Sequence, residues 1–188
     1  MKNSVKSLKK NLEKKIEENP KKELYFFDES RFGTHSKIGH GWFPKGIRTS
    51  VLVKLGFENF YVYSAVSPKT GKDCSLLMPY VNSTCMNVFL DHMEKELDGE
   101  EILLVMDGAG WHKSKGLKIP KNIEIIYLPP YSPELNPVER LWSYIKDNVL
   151  KNRIYENLEI LEEELCKFIK QIKKESYQSI CRVDYMFD

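Results

Sequence analysis

The chain has 188 residues, 41% of them hydrophobic, and a formal net charge of +2 at pH 7. That length accommodates one domain with a sizeable core and is too short for two ordinary domains. The four cysteines show no CxxC pairing, the N-terminus lacks the apolar core of a signal peptide, and no apolar run approaches the roughly 20 residues of a membrane span. These features favour a reduced, cytoplasmic protein over a secreted or membrane-spanning one.

The first element is a predicted helix over residues 4–19, where apolar residues recur at helical spacing until Pro20. Eight lysines and three glutamates lie in the first 22 residues, so positive charge is concentrated at this end of the chain. We expect residues 1–20 to form a Lys-rich helical arm. The main domain is expected over residues 21–175, with a tail over residues 176–188.

The first predicted strand covers residues 24–28 and carries the first candidate functional side chains. Strand alternation places Asp28 on one face of the sheet and Glu29 on the other, and the residues alone leave both open as candidates. Further strands are predicted at residues 48–55 and 60–67, and the second of these ends at the turn signal SPKTG. These three runs favour an antiparallel meander.

A second carboxylate closes a buried strand. After a predicted helix that begins near residues 82–84 and ends at Gly99, residues 102–106 form an unbroken apolar run that stops at Asp107. Such a run is typical of a strand covered on both faces. Ligands of open α/β sheets gather beyond the carboxyl ends of parallel strands, so Asp107 is well placed for function. The alternative is a plain Asp-Gly turn.

The third carboxylate, Glu139, opens an amphipathic helix that follows a strand predicted at residues 123–128. Apolar residues form one narrow stripe of this helix, and Glu139 lies at the border of that stripe. The alternative is a capping box, in which Glu139 would only bond back to the backbone of Asn136. A last helix is predicted from residue 158 onward.

Two basic stretches without acidic residues follow the strands that end in aspartate. The first contains Arg31, Lys37, Lys45, Arg48 and Lys54, and the second contains Lys113, Lys115, Lys118 and Lys121. Positive charge beside the carboxylates suits a phosphate backbone, although two solvated loops would give the same pattern. Trp42 between Lys37 and Lys45 could stack on bases or pack as satellite core.

Three carboxylates on separate elements, Asp28, Asp107 and Glu139, are the donor set that two-metal phosphoryl chemistry requires. Mg²⁺ is a hard cation that takes oxygen ligands, and a two-metal site needs several acidic side chains near each other. If the assignment is right, these side chains converge within about 4–5 Å of a shared metal ion.

Four sequence blocks carry a resemblance to a known family. They read DES at 28–30, GHGWFPKG at 39–46, VMDGAGWHKS at 105–114 and LPPYSPELNPVERLW at 128–142. In this order they resemble the catalytic domain of bacterial insertion-sequence transposases of the mariner superfamily. The last block is the most specific, and the resemblance covers roughly residues 20–170.

The resemblance implies an RNase H-like α/β fold, with a mixed five-stranded sheet of an antiparallel meander plus parallel strands, flanked by helices. It implies an Asp-Asp-Glu triad that maps onto Asp28, Asp107 and Glu139. The resemblance thus favours Asp28 over Glu29 and favours a metal-ligand role for Glu139 over a helix-capping role. It also implies two Mg²⁺ or Mn²⁺ ions and direct in-line displacement at phosphorus. Candidate DNA contacts are Arg31, Trp42, Lys45, Arg48, His112, Lys113 and Lys115.

The resemblance further implies DNA partners, namely element ends and a target that often contains a TA dinucleotide, and a homodimer that pairs two ends. Transposases of this kind carry an N-terminal helix-turn-helix domain, which is not recognisable here. We therefore expect a catalytic half from a split reading frame, with residues 1–20 as the linker remnant, or a fragment. The alternatives are an RNase H-like nuclease without strand transfer and a non-catalytic remnant that binds DNA or an active partner.

Overall fold

Five strands form one mixed sheet in a computed structural model that describes residues 2–40, 42, 44–46, 50 and 52–183, with side chains from Lys6 onward. The strands are β1 (Glu23–Gly33), β2 (Asn59–Val66), β3 (Asp73–Met78), β4 (Ile102–Met106) and β5 (Ile123–Tyr127). Their order across the sheet is β3-β2-β1-β4-β5. Strands β1, β2 and β3 pair antiparallel, whereas β4 runs parallel to both β1 and β5. The predicted mixed five-stranded sheet is confirmed.

Helices cover both faces of this sheet. They are α1 (Lys2–Glu18), α2 (Ser83–Glu96), α3 (Val138–Val149), α4 (Leu158–Gln171) and α5 (Lys174–Ile180). The core on one face contains residues of α2, and the core on the other face contains residues of the remaining four helices. Among the described helices, none is long and apolar enough to cross a membrane.

Strand β4 lies at the centre of this arrangement, as its apolar run predicts. All five of its side chains are buried. Leu103 and Val105 belong to the core shared with α3, while Leu104 and Met106 belong to the core shared with α2. A strand with helices on both faces needs apolar residues at every position, because alternate side chains point to opposite faces.

The antiparallel meander is confirmed, but one of its predicted strands was wrong. No strand forms at residues 52–58, where Leu52 is 81% and Leu55 is 73% exposed. Instead β1 extends to Gly33, and the edge strand is β3, which the sequence did not reveal. Strand propensity reflects packing against neighbours, and the exposed side chains of Leu52 and Leu55 lack such packing. Residues 48, 49 and 51 of the predicted run lie outside the described residues.

Helix α1 and the described part of the expected tail, residues 176–183, contribute side chains to the same core. Leu8 and Leu12 of α1 are 4% and 0% exposed and lie in the core with α3. At the other end, Tyr177 and Cys181 are buried in the same core. The predicted boundaries at residues 20 and 175 therefore divide a single core. The many lysines of α1 suggested a solvated arm, but they lie outside its apolar stripe, which is the face that packs on the core.

Candidate active site

Two of the three candidate carboxylates come from the same level of neighbouring strands. In the parallel pairing of β1 with β4, Phe26 lies opposite Val105. Continuing this register by two residues in each chain segment brings Asp28 of β1 level with Asp107, the residue that follows β4. Neighbouring strands lie about 4.8 Å apart, so the two aspartates begin from adjacent backbone positions. The sheet itself places them together.

Asp28 belongs to the face of β1 that packs against α3. The indole Nε1–H of Trp142, on α3, donates a hydrogen bond of 2.8 Å to its Oδ2. Burial raises the pKa of Asp28 to about 8, and the nearby charges of Glu139 and Glu29 add to this shift. Burial and like charge both disfavour an ionised carboxyl, which is the environment that a bound cation would relieve.

Glu29 is directed away from this site, so the structure separates the two acids that the sequence left open. Its side chain is only 10% exposed and lies on the α2 side of the sheet. There its Oε1 accepts a hydrogen bond of 3.1 Å from the indole of Trp111, and its Oε2 lies 3.4 Å from Nε2 of His112. Asp28 is therefore the acid of this pair that lines the cavity.

Glu139 stands in the first turn of α3, and the capping-box alternative is not what the structure shows. The backbone N–H of Asn136 donates to Pro133, so it is not the partner of Glu139. Asn136 is buried, and its side chain donates to the carbonyl of Phe27 while accepting from the N–H of Val138. This ties the start of α3 to the residue preceding Asp28 and leaves the Glu139 side chain exposed.

Asp107 follows β4 in an exposed turn, with its side chain 55% exposed. Its Oδ1 accepts hydrogen bonds from Nδ1 of His112 at 2.6 Å and from the backbone N–H of Ala109 at 3.1 Å. The second contact is the Asx-type bond of a turn-forming aspartate. Asp107 is thus a turn residue and a cavity-lining carboxylate at once, so the two alternatives weighed from its sequence do not exclude each other.

One cavity of about 350 Å³ unites the three candidate carboxylates. Its lining includes Asp28, Asp107, Gly108, Ala109, Lys113, Leu128, Pro129, Pro130, Tyr131, Ser132, Pro133, Asn136 and Glu139. The rigid proline-rich segment between β5 and α3 forms one wall, and the turn after β4 forms another. The negative groups therefore share one open, partly polar pocket.

The side chains of Asp28, Asp107 and Glu139 do not converge on a single metal position, although the sequence predicted that they would. Within the described ranges, no group of three or more His, Cys, Asp or Glu residues is arranged to hold a metal ion. Protein donors already bind one oxygen each of Asp28 and Asp107, and mutual repulsion opposes closer approach of the carboxylates. The site has the donor chemistry of a metal centre in an open arrangement.

The predicted DNA contacts fall in different positions around this pocket. Lys113 lines it, with its Nζ 5.0 Å from the centre of the Tyr127 ring. Arg31, Lys45 and Lys115 are exposed, and Arg48 lies outside the described residues. Trp42 is 104% exposed, so the satellite-core alternative is wrong for it and an open ring face remains.

His112 requires a correction. It was expected to contact DNA, yet its side chain is only 1% exposed. Both ring nitrogens face carboxylates, Asp107 on one side and Glu29 on the other, and these contacts raise its pKa although burial alone would lower it. A ring enclosed in this way offers no face to a phosphate, and we remove it from the DNA-facing set.

Sequence reasoning missed one basic residue near the site. Lys146 is half-buried on α3, with its Nζ 5.4 Å from the centre of the Phe32 ring. Burial and the charge of Lys37 lower its pKa, while Glu139 and Asp28 act in the opposite direction. It follows Glu139 by seven residues, a spacing that puts both side chains on nearly the same helix face, and this signal was available from the sequence.

Sequence comparisons point to one family. The family model described as DDE superfamily endonuclease matches residues 23–162. The uncharacterized protein y4pE/y4sA of Sinorhizobium fredii (strain NBRC 101917 / NGR234) is 40% identical over 107 residues, which are 56% of this chain and 79% of that protein. The insertion element IS630 uncharacterized 39 kDa protein of Shigella sonnei is 28% identical over 134 residues, covering 69% of this chain and 39% of the relative.

Solved structures show the same fold. The Mos1 transposase paired-end complex with left transposon end matches with a TM-score of 0.71 at 13% identity, over 97% of this chain and 58% of that chain. The catalytic domain of Mos1 mariner transposase matches with a TM-score of 0.59 at 13% identity, over 96% of this chain and 84% of that chain. The RNase H-like fold expected from the sequence is confirmed, and the chain spans little more than half of the longer of these two chains.

Proposed function

Because the chain belongs to the DDE superfamily endonucleases, we propose that it is the catalytic domain of a DNA transposase that cleaves DNA strands and joins them to a target. The observation that carries the proposal is the single cavity lined by Asp28, Asp107 and Glu139, which come from three different elements. Few structural needs bring three acids to one cavity beside the carboxyl ends of parallel strands, whereas two-metal phosphoryl transfer uses several acidic ligands close together.

The residues fit a pair of divalent cations, Mg²⁺ or Mn²⁺, in their chemistry. The donors are hard carboxylate oxygens, and burial, together with the nearby charges of Glu139 and Glu29, raises the pKa of Asp28. We propose Asp28, Asp107 and Glu139 as the ligands. When held there, such a pair of ions would supply activation of water or of a DNA 3′-hydroxyl and stabilisation of the leaving oxygen in an in-line displacement.

The protein's own groups orient these carboxylates and attract the substrate. The Trp142 indole fixes one oxygen of Asp28, and the N–H of Ala109 with the ring of His112 fixes one oxygen of Asp107. Lys113 at the cavity wall is suited to a phosphate of the bound strand. The mechanism needs no covalent protein–DNA intermediate, so no tyrosine is proposed as a nucleophile.

Element ends and target DNA, which we propose contains a TA dinucleotide, are the partners of this domain. The similar solved structures include a Mos1 paired-end complex with a left transposon end, a Mos1 strand transfer complex, and Mos1 paired-end complexes with Mn and with Mg. We extend DNA binding and divalent-metal dependence from them to this chain. Pairing of two ends predicts a homodimer, and a helix-turn-helix product of an upstream reading frame is the proposed source of sequence recognition.

The deciding experiment is a cleavage and strand-transfer assay on DNA that carries the element's own termini. We expect products joined to target DNA in Mg²⁺ or Mn²⁺, and none with Asp107→Asn. The assay uses the chain alone and the chain fused to the upstream frame, because a catalytic domain by itself binds DNA with little sequence preference.

The other outcomes select the alternatives. Metal-dependent cleavage without joined products would identify an RNase H-like nuclease. No activity in either form, with DNA binding retained, would identify a non-catalytic remnant. Joined products that persist in Asp107→Asn would overturn the assigned triad.

A further inference from the structure

Behind the candidate site, a chain of polar groups runs from the largely buried Glu29 and His112 to the exposed Asp107. Nε2 of His112 lies 3.4 Å from Oε2 of Glu29, and Nδ1 lies 2.6 Å from Oδ1 of Asp107. The side chains of Glu29 and His112 are 10% and 1% exposed. Neither Oε2 nor Nε2 has a hydrogen-bond partner other than the facing group at ion-pair distance. Two buried polar atoms without any other partner need an explanation.

The imidazole of His112 is held rigidly in this position. The ring of Phe27 meets it at 76° with centres 5.6 Å apart, and the ring of Trp111 meets it at 71° with centres 5.6 Å apart. The hydroxyl of Tyr127 donates a hydrogen bond of 2.6 Å to the backbone carbonyl of His112. Packing on its faces and edges prevents the ring from swinging out to solvent.

Glu29 fixes the orientation of the ring as well as its place. A ring flipped about its last rotatable bond would present carbon atoms where Nδ1 and Nε2 now face the two carboxylates. Oε1 of Glu29 is itself held by the indole of Trp111 at 3.1 Å. With a carboxylate opposite each nitrogen, only one of the two flip states satisfies both contacts.

The Asp107 carboxylate, unlike the His112 ring, is not held by packed side chains. Its side chain is 55% exposed and is followed by Gly108, in the short connection that leads to a 3-10 helix beginning at Gly110. Glycine adds no side chain to pack against the carboxylate and leaves the turn more backbone freedom. Apart from the N–H of Ala109, the ring of His112 is the hydrogen-bond donor that orients Asp107 in the described structure.

We propose that Glu29 and His112 are positioning residues that set the Asp107 carboxylate for metal binding. The inference rests on the proposed function, since it takes Asp107 as a metal ligand. His112 occupies Oδ1, which leaves Oδ2 as the oxygen available to a cation, and Glu29 keeps the ring in the flip state that makes this contact. Hydrogen-bonded partners behind metal ligands typically change metal affinity 10- to 100-fold when mutated.

The test measures Mn²⁺ binding to the full chain by electron paramagnetic resonance of the free ion, without any activity readout. Glu29→Gln removes the charge but keeps the shape and an acceptor for Trp111. His112→Phe keeps the ring and removes both nitrogens, while His112→Asn retains a donor near the position of Nδ1. We expect about 10- to 100-fold weaker binding for His112→Phe, a smaller loss for Glu29→Gln, and partial recovery in His112→Asn relative to His112→Phe.

A matched control and two ligand variants separate the possible failures. Glu134→Gln removes one exposed charge beside the cavity-lining Pro133 and should leave Mn²⁺ affinity unchanged. Asp28→Asn and Asp107→Asn should abolish tight binding; if they do not, the proposed function fails. If they do, but His112→Phe and Glu29→Gln bind Mn²⁺ like the unmodified chain, only the positioning role is overturned.

Nitrogen chemical shifts of His112 supply a second readout that separates orientation from general destabilisation. In the metal-free protein labelled on histidine nitrogens, we expect Nδ1 to carry a proton in a strong hydrogen bond, and Asp107→Asn to shift its resonance. Should His112→Phe fail to fold, Glu29→Gln decides through these shifts and its Mn²⁺ affinity. An Nδ1 resonance that is the same in the unmodified chain and in Asp107→Asn would contradict the proposal.

Discussion

Asp28 and Asp107 lie at the same level of adjacent strands, yet the protein supports them in different ways. Asp28 stands inside β1, opposite Ser64 of β2, and a helix residue, Trp142, binds it directly. Asp107 stands in an exposed turn beyond β4, and its support reaches it through His112 from Glu29 on the opposite side of the sheet.

The site therefore has two halves, one in which core packing orients Asp28 and one in which hydrogen bonds orient Asp107. On the Asp28 side, the core packing of α3 sets the carboxylate, because Trp142 is 3% exposed and part of that core. On the Asp107 side, the polar contacts of His112 with Asp107 and Glu29 orient the carboxylate in place of core packing. The two halves should therefore respond differently to substitution.

The largest effect should come from the carboxylates themselves and should be equal on the two sides. Asp28→Asn and Asp107→Asn should each slow single-turnover DNA cleavage by at least about a thousandfold, because bound metal contributes several kcal/mol and each 1.36 kcal/mol is tenfold in rate. The double variant should be no slower than either single one, since ligands of one site act as a unit. Additive losses would show that the two aspartates act independently.

Two Trp→Phe variants test direct against indirect support. Trp142→Phe removes the indole donor to Asp28 and should slow cleavage about 10- to 100-fold at saturating Mn²⁺. Trp111→Phe removes the donor to Glu29, two contacts away from Asp107, and should cost less than about threefold. Single-turnover rates measure both, with thermal melting as the folding control. Equal losses would remove the distinction between the two halves.

A third pair compares the stability of the two halves. Asn136→Ala leaves the buried carbonyl of Phe27 without its donor and should lower the free energy of unfolding by about 1–3 kcal/mol. Tyr127→Phe removes the hydroxyl bond to the carbonyl of His112 and should cost about 0.5–1.5 kcal/mol. Urea unfolding at constant slope gives both values. A larger cost for Tyr127→Phe would place the more rigid support at Asp107.

The smallest effect concerns the positive charges on the Asp107 side. Lys113→Ala and Lys115→Ala should each reduce the slope of log affinity against log salt by about 1, if each lysine contacts one phosphate. Only Lys113 lines the cavity, so only Lys113→Ala should also slow cleavage of bound DNA. DNA binding is measured over a salt series, and cleavage at saturating protein. A slower reaction in Lys115→Ala would extend the site beyond the described cavity.

Elements with strong local patterns could be predicted from the sequence. The apolar run of β4 and the stripe of α3 each fix one element, because every position of the first and one face of the second must be buried. The strand-end position of Asp107 followed from the same pattern. The alternation of β1 placed Asp28 and Glu29 on opposite faces, but the choice between them required tertiary contacts or the family resemblance.

The remaining features depend on contacts that a linear pattern does not encode. Strand β3 carries a mixed sequence, DCSLLM, and becomes a strand only because β2 offers it an edge. Helix α5 has seven residues, and burial of Tyr177 in the shared core holds it in place. The burial of His112 depends on its contact with Glu29, which is far away in the chain. The lysines near His112 in the sequence therefore suggested a DNA contact that the fold does not allow.

The most direct test of the account is the position of Mn²⁺ in crystals of the chain with bound DNA ends, located by anomalous scattering. The account predicts density in the cavity with oxygens of Asp28, Asp107 and Glu139 about 2.0–2.6 Å from the ions, the range of hard divalent cations, and none in the same crystals of Asp107→Asn. Mn²⁺ bound elsewhere, or bound in this cavity without Asp107 or Glu139 among its ligands, would contradict it.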